Sequence, residues 1–169
     1  MNAIFNRASV RVFKDAPVEK EKIEMLLKAA MQAPSAGNQQ PWEFIVVEDK
    51  KTLEQLSETD AYAKFVAKVP AAIVALGNTN EMRFPEHWEQ DLGAACENIL
   101  LEAVSQELGA VWLGVAPLKE RMDHITKVCE LPDNIRPYAI IPFGYAKRPY
   151  EVEERYDADR VHYEKYGQK

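Results

Sequence analysis

Apolar residues along the chain recur with two periods, and these divide it into alternating helices and strands. After Pro17, residues Ile23, Leu26, Leu27 and Ala30 fall at i, i+3, i+4 and i+7, the single stripe of an amphipathic helix that ends by Pro34. Residues 34–41, PSAGNQQP, are breakers and small polar residues and read as a loop. In WEFIVV, Trp42, Phe44 and Val46 alternate as in a strand. KTLEQLSE reads as a short polar helix, and AYAKFVAKV as helical up to Pro70. Residues 71–76, AAIVAL, form an uncharged run closed by Gly77, suited to a strand buried on both faces.

GNTNEMRFPEHW, residues 77–88, is long for a connection, which makes it a candidate lid. The longest helix is expected over His87–Leu108. Leu92, Ala95, Cys96, Ile99, Ala103 and Val104 carry its buried side, with Leu100 and Leu108 beside them. So broad an apolar surface marks a central helix, one able to meet a partner subunit. Gly109 is placed to cap it in the left-handed conformation. AVWLGVA, 110–116, reads as a strand, the spacing of Leu118, Met122, Ile125 and Cys129 as a helix, and YAIIPFG, 138–144, as another strand. From Tyr145 onward the chain is charged and Tyr-rich without an apolar period, an arm for another surface rather than a core element. No internal repeat and no linker divides residues 1–169, so one domain is expected. The alternation gives an α/β or α+β class with helices covering a sheet.

Charge narrows the function. Twenty-one Lys and Arg against 27 Asp and Glu leave a net charge of −6, which lacks the basic excess of a nucleic-acid binder. Cys96 and Cys129 sit inside amphipathic patterns and read as reduced, buried thiols. The start, MNAIFNRASVRVF, has no apolar signal region, and no run approaches the ~20 residues of a membrane span, so a cytoplasmic protein is expected. G-x-G-x-x-G, a G-x-x-x-x-G-K-[ST] phosphate loop, H-E-x-x-H and G-x-S-x-G are all missing, and His87, His124 and His162 form no ligand cluster. These absences disfavour dinucleotide-fold, metal-hydrolase and serine-hydrolase chemistry.

Three segments carry candidate chemistry. Arg7, Ser9 and Arg11 stand at i, i+2 and i+4, one face of an extended stretch, and two guanidinium groups with a hydroxyl suit a phosphate or carboxylate. A solvated basic strand carries the same pattern. In the 34–41 loop, Ser35, Asn38, Gln39 and Gln40 offer amides and a hydroxyl for the edge of a heterocycle, while Gly37 permits close backbone approach. A plain connecting loop is the alternative. Gly114, among Trp112, Leu113 and Val115, marks either a ligand approach or a bulge.

In series, these segments resemble the FMN-dependent nitroreductase family, in its short-chain branch. The matching signals are Arg7-x-Ser9-x-Arg11-x-Phe13, Pro34-Ser35-Ala36-Gly37-Asn38-x-Gln40-Pro41-Trp42, Asp91-x-Gly93-Ala94-Ala95, Leu108-Gly109-Ala110-x-Trp112-Leu113-Gly114 and Pro142-Phe143-Gly144-Tyr145. The resemblance implies an α+β sandwich with a central, mostly antiparallel sheet flanked by helices. It also implies an intertwined homodimer with one FMN in each of two interface clefts. By motif match, Arg7, Ser9 and Arg11 would hold the phosphate and ring edge, with Ala8 where many members carry a basic residue. Pro34, Ser35 and Asn38, with Ala36 and Gly37 between them, would reach the flavin of the other subunit. Leu113 and Gly114 would bring backbone to the ring. Arg155 would be a tail cation for the phosphate, with Arg148 the second candidate. A flavin carries its own redox chemistry, which accounts for the missing catalytic clusters. The implied activity is ping-pong transfer from NADH or NADPH to a nitroaromatic, quinone or similar small-molecule acceptor. A flavin-binding sensor or carrier without turnover is the alternative.

Overall fold

The apolar run at 71–76 builds the centre of the molecule. The structure is a computed structural model and describes residues 2–169. Strand β2 (Ala71–Asn78) lies between β1 (Trp42–Val47) and β5 (Ile135–Gly144) and pairs antiparallel with both, Ile73 standing opposite Val46 and Ile141. Two short strands, β3 (Gly109–Ala110) and β4 (Leu113–Gly114), also pair antiparallel with β5. The sheet therefore has five strands in the order β1-β2-β5-β3, with β4 beside β5.

Successive strand residues face opposite ways, so β2 feeds two cores. Ala71, Ile73 and Ala75 pack with Ala139, Ile141 and Phe143 under helices α2 (Lys20–Met31) and α4 (Trp88–Ser105). Ala72, Val74 and Leu76 pack with Ile140 under α3 (Lys50–Leu56), the 3₁₀ segment Lys64–Lys68 and α5 (Lys119–Val128). A single helical turn, α1 (Ala3–Asn6), leads the chain in against α4. This is the expected α+β sandwich, with its sheet antiparallel throughout the named strands.

Three local expectations are corrected. The 61–69 stretch holds the 3₁₀ segment Lys64–Lys68 rather than an α-helix: its buried residues Ala63, Val66 and Val69 recur every three, the 3₁₀ period. Asp60 Oδ1 fixes its start by accepting from the Tyr62 and Ala63 N–H groups. Gly109 is not the left-handed cap. Glu107 is, with φ 61°, and the Leu108 and Glu107 N–H groups close the end by donating to Ala103 and Val104. Gly109 instead lies in β3, where an added Cβ would come within 2.7 Å of Val10 Cβ. The expected 110–116 strand breaks into β3 and β4, because Trp112 turns in to meet Tyr138 edge-on at 5.8 Å.

Cys96 is buried and Cys129 half-buried, both as free thiols. Beyond Ala146 the chain is exposed to residue 160, with one 3₁₀ turn at Ala158–Arg160. Among the described residues no helix is long and apolar enough to cross a membrane.

Candidate functional site

The loop that follows α2 is fixed from below by one carboxylate. Asp91, in the first turn of α4, is 4% exposed. Its Oδ1 accepts from the Ala36 N–H at 2.8 Å, and its Oδ2 accepts from Gln39 Nε2 at 2.6 Å. The helix N-terminus favours a negative charge there. Gln39 uses the rest of its amide on the neighbouring loop: Nε2 donates to Phe84 O at 3.2 Å, and Oε1 accepts from Phe84 N at 2.8 Å. Arg83 Nη2 donates to Gly37 O at 2.5 Å. The candidate lid is thus tied to the same anchor as the 34–40 loop.

The loop's conformation needs small or amide-bearing residues. Gly37, Asn38 and Gln40 have φ of 53°, 54° and 48°, and a Cβ on Gly37 would overlap the Phe84 ring. Ser35 Oγ accepts from Gln40 N, and Asn38 Oδ1 accepts from Gln40 Nε2, each at 3.0 Å. Pro34, Asn38 and Gln40 are exposed, and Ser35 and Ala36 half-buried. Gln39 is therefore not one of the outward amides that the sequence offered; its side chain is buried and committed to Asp91 and Phe84. In the sequence Asp91 stands only as part of a motif, with no role of its own. Its signal was position, three residues after Trp88 and four before Ala95, on the buried side of the helix.

The N-terminal segment runs extended along the sheet edge. Val10 N donates to Ala110 O at 3.0 Å and Lys14 N to Tyr145 O at 2.8 Å, while Val12 O accepts from Lys147 N at 3.0 Å. Val10 and Phe13 are buried, and Ser9 and Arg11 are exposed. Arg7 is half-buried, its Nε 3.6 Å from Glu97 Oε1 in α4, with Ala8 also half-buried. Arg7 lines a hollow of about 490 Å³ together with Ile4, Phe5, Val152 and Arg155, so the fold brings Arg155 beside Arg7. Arg155 Nη2 lies 3.2 Å from Glu153 Oε2. Arg148 is exposed and is not on that wall, and Arg11 lines a different hollow.

Gly114 is exposed at the end of β4, with open space where a Cβ would stand. Its carbonyl accepts from Arg121 Nη1 at 2.8 Å, and Arg121 Nη2 pairs with Asp60 Oδ2 at 2.9 Å. Leu113, half-buried, pairs opposite Ile140. Behind β4, Tyr138 meets Trp88 and Trp112 edge-on, and Gly93 leaves room for its hydroxyl. Burial, then the neighbouring Cys96 and Glu89, push the Tyr138 hydroxyl up to about 12. Burial likewise pushes the Cys96 thiol up, which removes it as a nucleophile. Among the described residues no three His, Cys, Asp or Glu side chains cluster as metal ligands.

The profile of the Nitroreductase family matches residues 4–81 and 54–145. A protein of Archaeoglobus fulgidus provisionally named NADH dehydrogenase/NAD(P)H nitroreductase is 42% identical over 98% of both chains. The chain belongs to the nitroreductase family. Its fold is that of a solved Clostridium acetobutylicum protein provisionally named NADH oxidase, 51% identical over 97% of this chain and 99% of that one, with a TM-score of 0.95. A provisionally named nitroreductase of Desulfovibrio desulfuricans, crystallised in complex with FMN, is 28% identical over 97% and 95% of the two chains, with a TM-score of 0.83. In this nitroreductase-family chain, two of the five matched motifs fall on the N-terminal segment and on the loop held by Asp91, and the other three on α4, β3–β4 and the end of β5.

Proposed function

We propose that the protein is an FMN-dependent oxidoreductase that uses NADH or NADPH to reduce a nitroaromatic, quinone or similar electron-poor acceptor. Family membership supplies the coarser statement, an oxidoreductase. The observation that carries the finer one is the donor set on the N-terminal segment. Ser9 and Arg11 project outward on either side of buried Val10, and Arg7 shares a hollow with Arg155, in a chain of net charge −6.

These residues fit FMN. The guanidinium groups of Arg7 and Arg155 with the Ser9 hydroxyl suit a phosphate monoester, and Arg11 suits the electron-rich edge of the ring. The exposed carboxamides of Asn38 and Gln40 suit a heterocycle, and the open face of Gly114 leaves space for a flat one. Bound FMN supplies hydride and electron transfer. The chain's part is to neutralise the phosphate, orient the ring and shape one cleft that donor and acceptor enter in turn, which makes the kinetics ping-pong.

A homodimer is part of the proposal. Asp91 holds the 34–40 loop, and Glu97 meets Arg7; six residues of helix separate them by about 9 Å and 240° of rotation. The two donor sets of one protomer thus sit on different faces of α4. That supports a site completed by the loop of a second copy.

The test is the cofactor content of the purified protein. It should be yellow, release FMN and not FAD on denaturation, and oxidise NADH or NADPH when a quinone is present. A colourless protein that FMN cannot reconstitute would contradict the reading.

A further inference from the structure

A second hollow holds more positive charge than the proposed cofactor site uses. Its volume is about 520 Å³, within the ~300–1,000 Å³ of small-molecule sites. Arg11, Lys50, Lys68 and Lys147 line it, and Asp15 is the one acid on its wall. The four cations come from the N-terminal segment, the start of α3, the turn before β2 and the residues after β5. Among the described residues, none of them lies within ion-pair distance of a carboxylate. A chain with six more acids than bases has carboxylates to spare. Four unpaired cations around one cavity repel each other, and an anion placed among them is attracted by all four.

The rest of the wall is apolar and aromatic, with Phe13 and Phe65. Cations beside ring surface are the chemistry that recognises a phosphorylated aromatic group, a nucleotide. Ser9, Gly114 and Arg155 do not line this hollow, so it is distinct from most of the cofactor donor set. Arg11 lines this hollow and belongs to the proposed cofactor donor set, which would put a ligand here next to the cofactor.

We infer that this hollow binds the ADP half of the nicotinamide donor, its phosphates among Lys50, Lys68 and Lys147 and its adenine against Phe65. The choice of this nucleotide rests on the proposed function; the anion-binding chemistry stands on the hollow itself.

The test is calorimetric titration of the purified protein with ADP at low ionic strength, for the native chain and a Lys50→Gln/Lys147→Gln chain. Both lysines are exposed, and circular dichroism checks that the variant folds. ADP should bind the native chain, more weakly as salt is added, and at least tenfold more weakly to the variant. Adenosine, which has no phosphate, should bind far more weakly than ADP. In turnover the variant should raise the KM for NADPH about as much, and the KM for dihydronicotinamide riboside less than twofold. Equal ADP affinity in the two chains would overturn the inference. So would pyrophosphate binding as tightly as ADP, which would leave an anion site without nucleotide recognition. Lysine-dependent ADP binding in a protein that does not oxidise NADH or NADPH would support the hollow and contradict the proposed function, which keeps the two failures apart.

Discussion

A carboxylate buried in the first turn of α4 decides where the 34–40 loop sits. Replacing it by an amide, Asp91→Asn, turns a donor toward either Ala36 N or Gln39 Nε2 and removes the charge from both bonds. Charge-assisted bonds of this kind are worth ~1.5–3 kcal/mol, so the variant should lose about 2–3 kcal/mol, read as a lower urea midpoint. It should also bind FMN more weakly, since Asn38 is held through the same loop. An unchanged midpoint would mean that the loop holds its position without Asp91. On the N-terminal segment the expectation differs. Arg7→Ala and Arg11→Ala should leave the fold intact and weaken FMN roughly ten- to hundredfold. Titration of the two apo-variants checks this, and native affinity would reduce the run to a solvated basic edge. The sequence showed these arginines because extended periodicity and charge coincide there. It hid the role of Gln39, because an amide in a polar loop carries no sign of whether it faces a ligand or a buried Asp.

At the scale of elements, the end of α4 separates two uses of left-handed space and small size that sequence alone merged. Glu107 adopts φ 61°, while Gly109 two residues on is needed for the approach of Val10 to β3. A side chain in the left-handed region costs roughly 1–2 kcal/mol, against ~0.5–1 for the added freedom of glycine in the unfolded chain. Glu107→Gly should therefore stabilise by about 0.5–1 kcal/mol. Gly109→Ala should destabilise by about 1–3 kcal/mol through overpacking against Val10. Equilibrium urea unfolding of both variants measures the pair, and shifts of the same sign would contradict this assignment. The long elements were legible because their patterns are unambiguous: the stripe of α2, the double-sided burial of β2, the broad apolar side of α4. The short ones were not. Val111 and Trp112 are strand formers by type, yet the packing of Trp112 against Tyr138 breaks the strand. Ala63, Val66 and Val69 show a period of three that is easily read as 3.6 over so short a run.

For the whole molecule, the buried Cys96 thiol, with the half-buried Tyr138 hydroxyl and Cys129 thiol, sets the alkaline limit. Tyr138 and Cys96 both hold their protons more tightly in the fold than in the unfolded chain. The native state then binds more protons than the unfolded state at high pH, so stability falls as pH rises. The fall should begin near the ordinary thiol range, about pH 8.5–9, and continue toward 12. Urea midpoints at pH 7 and pH 10 should differ in that direction, and less so in Cys96→Ala; equal midpoints would contradict it. The architecture and family were readable because five motifs occur in order over nearly the whole chain. The arrangement of the site was less so: nothing in the sequence says that Arg7 and the 34–40 loop anchor to different faces of one helix. In the proposed reaction, FMN on this chain takes electrons from a nicotinamide donor and gives them to a separate acceptor. The most direct measurement of that transfer is an anaerobic titration of the FMN-loaded protein with NADPH or NADH, followed in the visible spectrum, with benzoquinone added afterwards. A donor should bleach the flavin band, and the quinone should restore it. A flavin band unchanged by either donor, or a protein that takes up no FMN, would contradict it.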